Sequence, residues 1–321
     1  MRAAYYKQTG PASAVIEVGE LPTPEPGEAE VRVRIAFSGI NPTDWKSRAG
    51  ATGGVNGEFQ VPNHDGSGTI DAVGPGVDPG RVGERVWLYL AAFQQPWGTA
   101  AEYTVVPAER AVPLPDNASL ELGASIGVPA LTAHRCLLAD GPIEGKTVLV
   151  AGGAGAVGRC AIELARWAGA ARIIATVSND DKAQIARDAS ADETVDYKAG
   201  DAVEHLKDAG VDRIVELSLG HNLELDLAAA APNCAIASYA NEGDNPELDV
   251  RALMTRNIVL RFVLLYTMPR EAIQQAVADI TQALRVGALT EPQLHGFPLE
   301  ETAAAHDAVE NGAVGKVLIK L

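Results

Sequence analysis

Short apolar–polar segments crowd the first third of the chain. Glu30-Val31-Arg32-Val33-Arg34-Ile35-Ala36, Gly68-Thr69-Ile70-Asp71-Ala72-Val73 and Arg85-Val86-Trp87-Leu88-Tyr89 read as strands, the first with the two-residue period of a half-buried strand. Pro and Gly punctuate them, and Val82-Gly83-Glu84-Arg85-Val86 reads as a tight turn entering a strand. Strand after strand with turn residues between predicts a compact, mostly β module over roughly the first 115 residues.

From about Leu120 the pattern changes. A helical pattern covers 122–139, and strands then alternate with helices: strands at 147–150, 172–177, 193–195, 213–217, 235–239 and 258–265, helices at 156–168, 181–189, 203–209 and 223–231. This alternation predicts a doubly wound parallel sheet. A helix at 270–286 and a strand at 316–321 follow, and are expected to return to the first module. The predicted fold class is therefore α/β, a doubly wound sheet (119–266) plus a mostly β domain built from 1–118 and 267–321. The apolar strand 258–265 comes late in the sheet and is expected at its edge, where it invites pairing or coverage.

Length supports two domains: 321 residues exceed one small core. Hydrophobic content of 47% and charged content of 21% are ordinary for a globular protein. There is no run of about 18 apolar residues to span a membrane, and the N-terminus turns polar at once, without a signal-peptide core. Cys136, Cys160 and Cys234 are scattered in apolar sequence and make no disulfide framework. They read as reduced core thiols of a cytoplasmic protein. The net charge of −16 repels phosphate backbones and speaks against a nucleic-acid partner.

The chemistry begins at Val148-Leu149-Val150-Ala151-Gly152-Gly153-Ala154-Gly155-Ala156-Val157-Gly158. Gly153, Gly155 and Gly158 satisfy G-x-G-x-x-G between a predicted strand and a predicted helix, the context of a dinucleotide fingerprint. One glycine permits a sharp turn, the next a close approach of backbone to pyrophosphate, the third close helix–strand packing. The N–H groups of Ala156, Val157 and Gly158 then face the phosphates at the positive end of the helix. In NAD-preferring relatives of this fold an acid about 20 residues on holds the ribose 2′-hydroxyl. Here the second strand ends in Ser178-Asn179, without an acid at its tip, which permits a 2′-phosphate. Asp180 and Asp181 follow. Either they complement the dipole of a helix capped by Ser178 or Asn179, or one of them reaches the ribose and relaxes cofactor choice.

Further segments recur in a fixed order: Ser38-Gly39-Ile40-Asn41-Pro42-Thr43-Asp44, 65–74, Gly83-Glu84-Arg85-Val86, 98–103, 127–133, the glycine turn and Gly315-Lys316-Val317. Over its whole length the chain resembles the zinc-free quinone oxidoreductases, the zeta-crystallin-like group of the medium-chain dehydrogenase/reductase superfamily. The resemblance implies a GroES-like domain, a Rossmann domain and NADPH in the cleft between them. It implies that Asn41, Pro42 and Asp44 line the nicotinamide pocket, although Asn-Pro-x-Asp is also an ordinary turn sequence. It places Lys182 and Tyr197-Lys198 at the 2′-phosphate, Thr132 near the nicotinamide ribose, Tyr239 and Asn241 beside the cofactor, and Gly315 and Lys316 at a last contact. Val263 reads as core or dimer-edge strand, as backbone that grips the carboxamide, or both. Many members carry a tyrosine two residues beyond the aspartate; this chain has Trp45-Lys46, with Lys46 either at the acceptor or in solvent.

Zinc-dependent members of the superfamily ligate the metal through Cys, His and Cys. Those positions here are Asn41, His64 and a place near Val128. One imidazole without thiolates does not make a zinc site, so no metal is expected. Without that Lewis acid, hydride donation suits an acceptor that is already electron-poor. The expected partners are a small quinone or activated carbonyl compound and, by resemblance, a second copy of the chain in a homodimer. The readings left open are an NADPH:quinone reductase, an enone, enal or enoyl-thioester reductase on the same fold, and a non-enzymatic NADPH-binding structural or sensor protein.

Overall fold

The computed structural model describes residues 1–241 and 243–321. The chain forms two compact units, residues 1–128 with 290–321, and residues 129–289. The first opens with β1 (Arg2–Tyr5), α1 (Ala12–Val15), β2 (Glu17–Glu20), β3 (Glu30–Ile40) and α2 (Pro42–Ala49). It continues through β4 (Asp65–Val73), β5 (Arg85–Leu88), β6 (Tyr103–Pro107) and β7 (Ala111–Pro113). Helix α3 (Leu120–Leu138) carries the chain into the second unit.

The second unit alternates as its sequence predicts: β8 (Thr147–Val150), α4 (Ala156–Trp167), β9 (Arg172–Val177), α5 (Asp180–Asp188), β10 (Glu193–Asp196) and α6 (Ala202–Leu206). There follow β11 (Val211–Glu216), α7 (Leu219–Ala229), β12 (Ala230–Ser238), α8 (Val250–Thr255), β13 (Val259–Phe262) and α9 (Arg270–Arg285). The six strands pair in the order β10-β9-β8-β11-β12-β13, and every pair is parallel. The order reverses between β8 and β11, the switch point at which such sheets bind ligands. The chain then returns to the first unit with β14 (Leu294–Pro298), α10 (Thr302–Glu310) and β15 (Lys316–Lys320).

Alternation along β3 makes the first core: Val31, Val33 and Ile35 face inward onto Ile70, Val86, Leu88 and Val106. The register of this sheet also assembles a site. Strand β3 pairs antiparallel with β4, Gly39 opposite Asp65, and with β15, Ile40 opposite Val317. Residues 41, 65 and 316 thereby meet at one end of the sheet.

Several spans differ from expectation. The predicted helix at 223–231 begins at Leu219, and its strand begins at Ala230 rather than 235, because the alanine-rich run at 228–231 carries no turn residue. The strand expected over 258–265 shortens to Val259–Phe262, and Leu265–Thr267 turns as a short 3-10 helix. It does occupy the sheet edge, with Phe262 73% exposed. The predicted boundaries at 118/119 and 266/267 also differ from the division seen. Helix α9 belongs to the second unit, where Asp279 lies 2.8 Å from His134 of α3. A helical period marks an apolar face but not the sheet that the face covers.

Candidate active site

The glycine turn is built almost wholly by backbone. After β8 the chain bends at Gly152, whose φ of +65° is left-handed, a conformation that favours glycine. The sharp turn therefore falls one residue before the Gly153 of the motif. Gly153 instead serves packing, since a Cβ there would come within 2.7 Å of the Ala175 methyl on β9. Gly158 does the same for α4: a Cβ would collide with the Gly152 carbonyl oxygen. Gly155 is different. It is exposed, and a Cβ there would meet only the Gly152 oxygen at 3.3 Å. The fold does not require its bareness, and the space above it is open at the start of α4. The first helical bond runs from Arg159 N to Gly155 O at 2.8 Å. The N–H groups of Ala156, Val157 and Gly158 thus have no acceptor within the helix. Open space, unspent donors and a positive dipole end fit a pyrophosphate.

At the tip of β9, Asn179 caps α5 by accepting from the Lys182 N–H at 2.9 Å. Asp180 and Asp181 are exposed in the first turn, as dipole complement demands. The Lys182 ammonium folds back to donate to Ser178 Oγ at 3.1 Å. Tyr197 follows β10, its N–H bonded to Val177 O at 3.0 Å, and the Lys198 ammonium lies 6.0 Å from its ring centre. The structure thus gathers a hydroxyl, two ammonium groups and a half-exposed phenol at the carboxyl ends of β9 and β10. That donor set suits a phosphate monoester.

The other expected cofactor residues of this unit lie along the same carboxyl edge. Tyr239 N donates to Glu216 O at 3.0 Å, Asn241 Oδ1 accepts from Gly220 N at 2.9 Å, and Val263 N donates to Ser238 O at 2.8 Å. Thr132 is buried in α3.

In the first unit, the Asn-Pro-x-Asp segment starts a helix rather than an isolated turn. Asn41 is the N-cap of α2, Pro42 is its first residue, and Asp44 reaches back to accept from Asn41 N at 2.6 Å. Asp44 also accepts from the backbone N–H of His64 at 3.1 Å. Burial, and next the charge of Asp65, push the Asp44 carboxyl up to about 7. The Asn41 amide is held at both ends, donating to Asp65 Oδ2 at 2.7 Å and accepting from the Lys316 ammonium at 2.8 Å. Asp65 accepts in addition from Lys316 at 3.2 Å and from Val128 N at 2.8 Å. Burial pushes the Asp65 carboxyl up, and Lys316 is the first group to oppose it.

One functional candidate, Asp65, emerges from the structure alone, and Lys316 takes a place beside it. Asp65 stands in the sequence only as part of a glycine-rich segment; its signal is an acid beside glycines in a strand, which is unusual for a buried position. Lys316, expected at the cofactor, is instead almost fully buried with Asn41 and Asp65. Gly315 before it has a φ of +97° and leads into β15. Trp45 and Lys46 are half-buried on α2, with the Lys46 ammonium 5.7 Å from the Trp45 ring centre.

Of the positions that carry metal ligands in zinc-dependent relatives, 41 holds an amide and 128 a valine whose N–H is used by Asp65. His64 is buried, and burial, with Arg110, lowers its imidazole to about 4. The three cysteines are buried in the second unit, and burial pushes Cys136 and Cys234 up to about 12. Among the described residues no group of three or more His, Cys, Asp or Glu side chains is placed to hold a metal ion.

Comparison with known proteins agrees with this architecture. Residues 27–116 match the family model described as the alcohol dehydrogenase GroES-like domain, and 156–282 the one described as zinc-binding dehydrogenase. A quinone oxidoreductase of Lama guanicoe is 28% identical, over 100% of this chain and 98% of its own. A 2-haloacrylate reductase of a Burkholderia species is 30% identical, over 95% and 94%. Two solved structures are each 29% identical and cover both chains completely: an NAD-dependent alcohol dehydrogenase (TM-score 0.89) and a mycobacterial protein in complex with NADPH (TM-score 0.84). The fold and site define a nicotinamide-dependent oxidoreductase of the medium-chain type. The chain belongs to the medium-chain dehydrogenase/reductase superfamily, with quinone oxidoreductases among its relatives.

Proposed function

We propose that this protein reduces quinones with NADPH and without a metal. The observation that carries the reading is the pairing of Lys182 with Ser178 at the tip of β9, which ends in Ser178-Asn179, the carboxylates of Asp180 and Asp181 belonging to the first turn of α5. Bound at the carboxyl edge of the second unit, the cofactor would supply a hydride from C4 of its dihydronicotinamide. The N–H groups at Ala156, Val157 and Gly158 would bind its pyrophosphate beside the bare Gly155. Ser178, Lys182 and Tyr197 would bind its 2′-phosphate. Thr132, Tyr239, Asn241 and the Val263 backbone are assigned to its nicotinamide half.

On the first unit, Asn41, Asp44 and Lys46 are assigned to the acceptor side. The hydrogen bonds of Asn41 and Asp44 indicate that both act chiefly by fixing the start of α2. The amide at 41 and the absence of a thiol in the unit that carries His64 support a metal-free mechanism. A quinone needs no Lewis acid, because its own conjugation takes up the incoming charge. Catalysis then rests on holding donor and acceptor together in the absence of water.

The similarity to a 2-haloacrylate reductase supports a second reading, reduction of an activated alkene at the same site. Initial rates of NADPH and NADH oxidation with 1,2- and 1,4-quinones and small enals separate the two. Turnover with quinones supports the first, turnover with enals alone the second. Turnover with neither would refute both and leave the structural or sensor role.

The proposal includes a homodimer paired through β13. Its support is the exposure of Val259 (41%) and Phe262 (73%) on an edge strand, and of Leu264 (56%) just beyond it. Small-angle scattering should give twice the chain mass, and Phe262→Asp should halve it; a monomer mass for the wild type contradicts the pairing. Three buried free thiols support a cytoplasmic location.

A further inference from the structure

The polar cluster of the first unit contains two buried carboxyl groups and a single buried ammonium. Asp44 takes the backbone N–H groups of Asn41 and His64, and Asp65 takes the Asn41 amide and the Val128 N–H. Lys316 lies 3.2 Å from Asp65 and 2.8 Å from the Asn41 oxygen, its side chain 2% exposed against 0% for Asp65. Two glycines lie against these side chains. A Cβ at Gly39 would collide with the Ala124 carbonyl oxygen and also come within 2.9 Å of Lys316 Cε, and one at Gly127 would overlap Asp65 Oδ1. Glycine at 127 is demanded first by Asp65 itself, which marks the buried pair as a built feature. A carboxylate buried without a partner is costly enough to take up a proton instead.

We propose that Lys316 and Asp65 are positioning residues of the reductase: their buried pair locks the Asn41 amide, and with it the first turn of α2, so that Trp45 and Lys46 keep a fixed place. The role rests on the reading that α2 faces the acceptor. Asn41 has one arrangement here, oxygen to Lys316 and nitrogen to Asp65, and it is the cap from which α2 starts. Lys316 is also the cation that acts on both carboxyls. The surrounding groups offer no substitute. Arg48, on the same helix as Asp44, is paired with Glu310 of α10. Burial keeps His64 and His306 neutral near pH 7, at about 4 and about 3. Tyr6 is a buried phenol, pushed up by burial and by Asp44. Without Lys316 one carboxyl must hold a proton, so the lock should survive at acid pH and fail as pH rises.

The test compares wild type, Lys316→Met, Lys316→Arg and the double variant Asp65→Asn/Lys316→Met, with NADPH and a 1,4-quinone at pH 5.5 and 8. Lys316→Met should raise the acceptor KM at least tenfold at pH 8 and much less at pH 5.5, while the NADPH Kd stays within twofold. Lys316→Arg should recover part of the loss, and the double variant most of it, because it removes both charges. An equal loss at both pH values, or an equal effect on NADPH Kd, would overturn the inference. Hydrogen exchange of residues 42–49 gives a readout independent of turnover. It should quicken at least tenfold in Lys316→Met at pH 8 and return to the wild-type rate in the double variant. Unchanged exchange overturns the positioning role even if the single variant is inactive. A wild type that reduces no acceptor refutes the proposed function, and the exchange result then decides the lock separately.

Discussion

The glycine turn of the second unit and the polar cluster of the first solve opposite problems. The turn presents bare backbone and depends on side chains being absent, at Gly152, Gly153, Gly155 and Gly158, within seven consecutive residues. The cluster depends on side chains from residues 41, 44, 65 and 316, which meet only when β3 pairs with β4 on one side and β15 on the other. A local backbone device is stable to changes elsewhere in the chain and sensitive to one added methyl. A distributed charge device tolerates added volume only where its glycines leave room, and it responds to pH. The two regions therefore predict different failures.

The largest effects should come from the turn, and they should divide by glycine. Gly158→Ala sets a methyl against a backbone oxygen and must displace α4. Overpacking of this kind costs about 1–3 kcal/mol, so the melting temperature should fall and NADPH binding, read by fluorescence titration, should be lost. Gly155→Ala should leave the melting temperature near wild type, since its Cβ meets little, yet weaken NADPH binding at least tenfold. Equal melting losses in both variants would show that Gly155 serves packing after all.

Next in size is the proposed 2′-phosphate contact. A hydrogen bond to a charged group contributes about 1.5–3 kcal/mol, so Lys182→Ala should raise the NADPH Kd by roughly ten- to a hundredfold, at 1.4 kcal/mol per decade. The NADH Kd should move less than twofold. Equal weakening of both cofactors would place Lys182 away from the 2′-phosphate.

The cluster should show itself through pH. The Asp44 carboxyl stands at about 7 in the fold against 3.8 as its ordinary value. The folded state therefore binds the proton more tightly than the unfolded one. This contribution to stability is fully present below 3.8 and is lost as pH rises through about 7. Asp44→Asn removes that dependence, so its stability relative to wild type should improve steadily from pH 4 to pH 8, by a few kcal/mol, in urea denaturation. A constant difference across that range would mean that Asp44 is ionised throughout. The smallest effect belongs to Lys46→Met, which should change acceptor KM severalfold without altering NADPH Kd; no change in either would make Lys46 a solvent-facing lysine.

The same contrast explains what the sequence revealed. Strand–helix alternation from 147 onward, the glycine turn and the acid-free tip of β9 are local patterns, and each was legible. Asp65 was legible only as a motif neighbour and Lys316 only as an expected cofactor contact, because their meeting lies in a sheet register that joins residues hundreds apart in the chain. The first glycine role shifted from Gly153 to Gly152 because a spacing motif does not specify which residue takes the positive φ. Helix α9 went to the other unit because its apolar face names no partner.

The central claim is a metal-free, NADPH-dependent reduction of quinones, and the most direct measurement is an initial rate. Protein dialysed exhaustively against a chelator should oxidise NADPH with a 1,4-quinone as fast as undialysed protein, and should do so in preference to NADH. Activity lost on dialysis and restored by zinc, or a rate with quinone no higher than without it, would contradict the account.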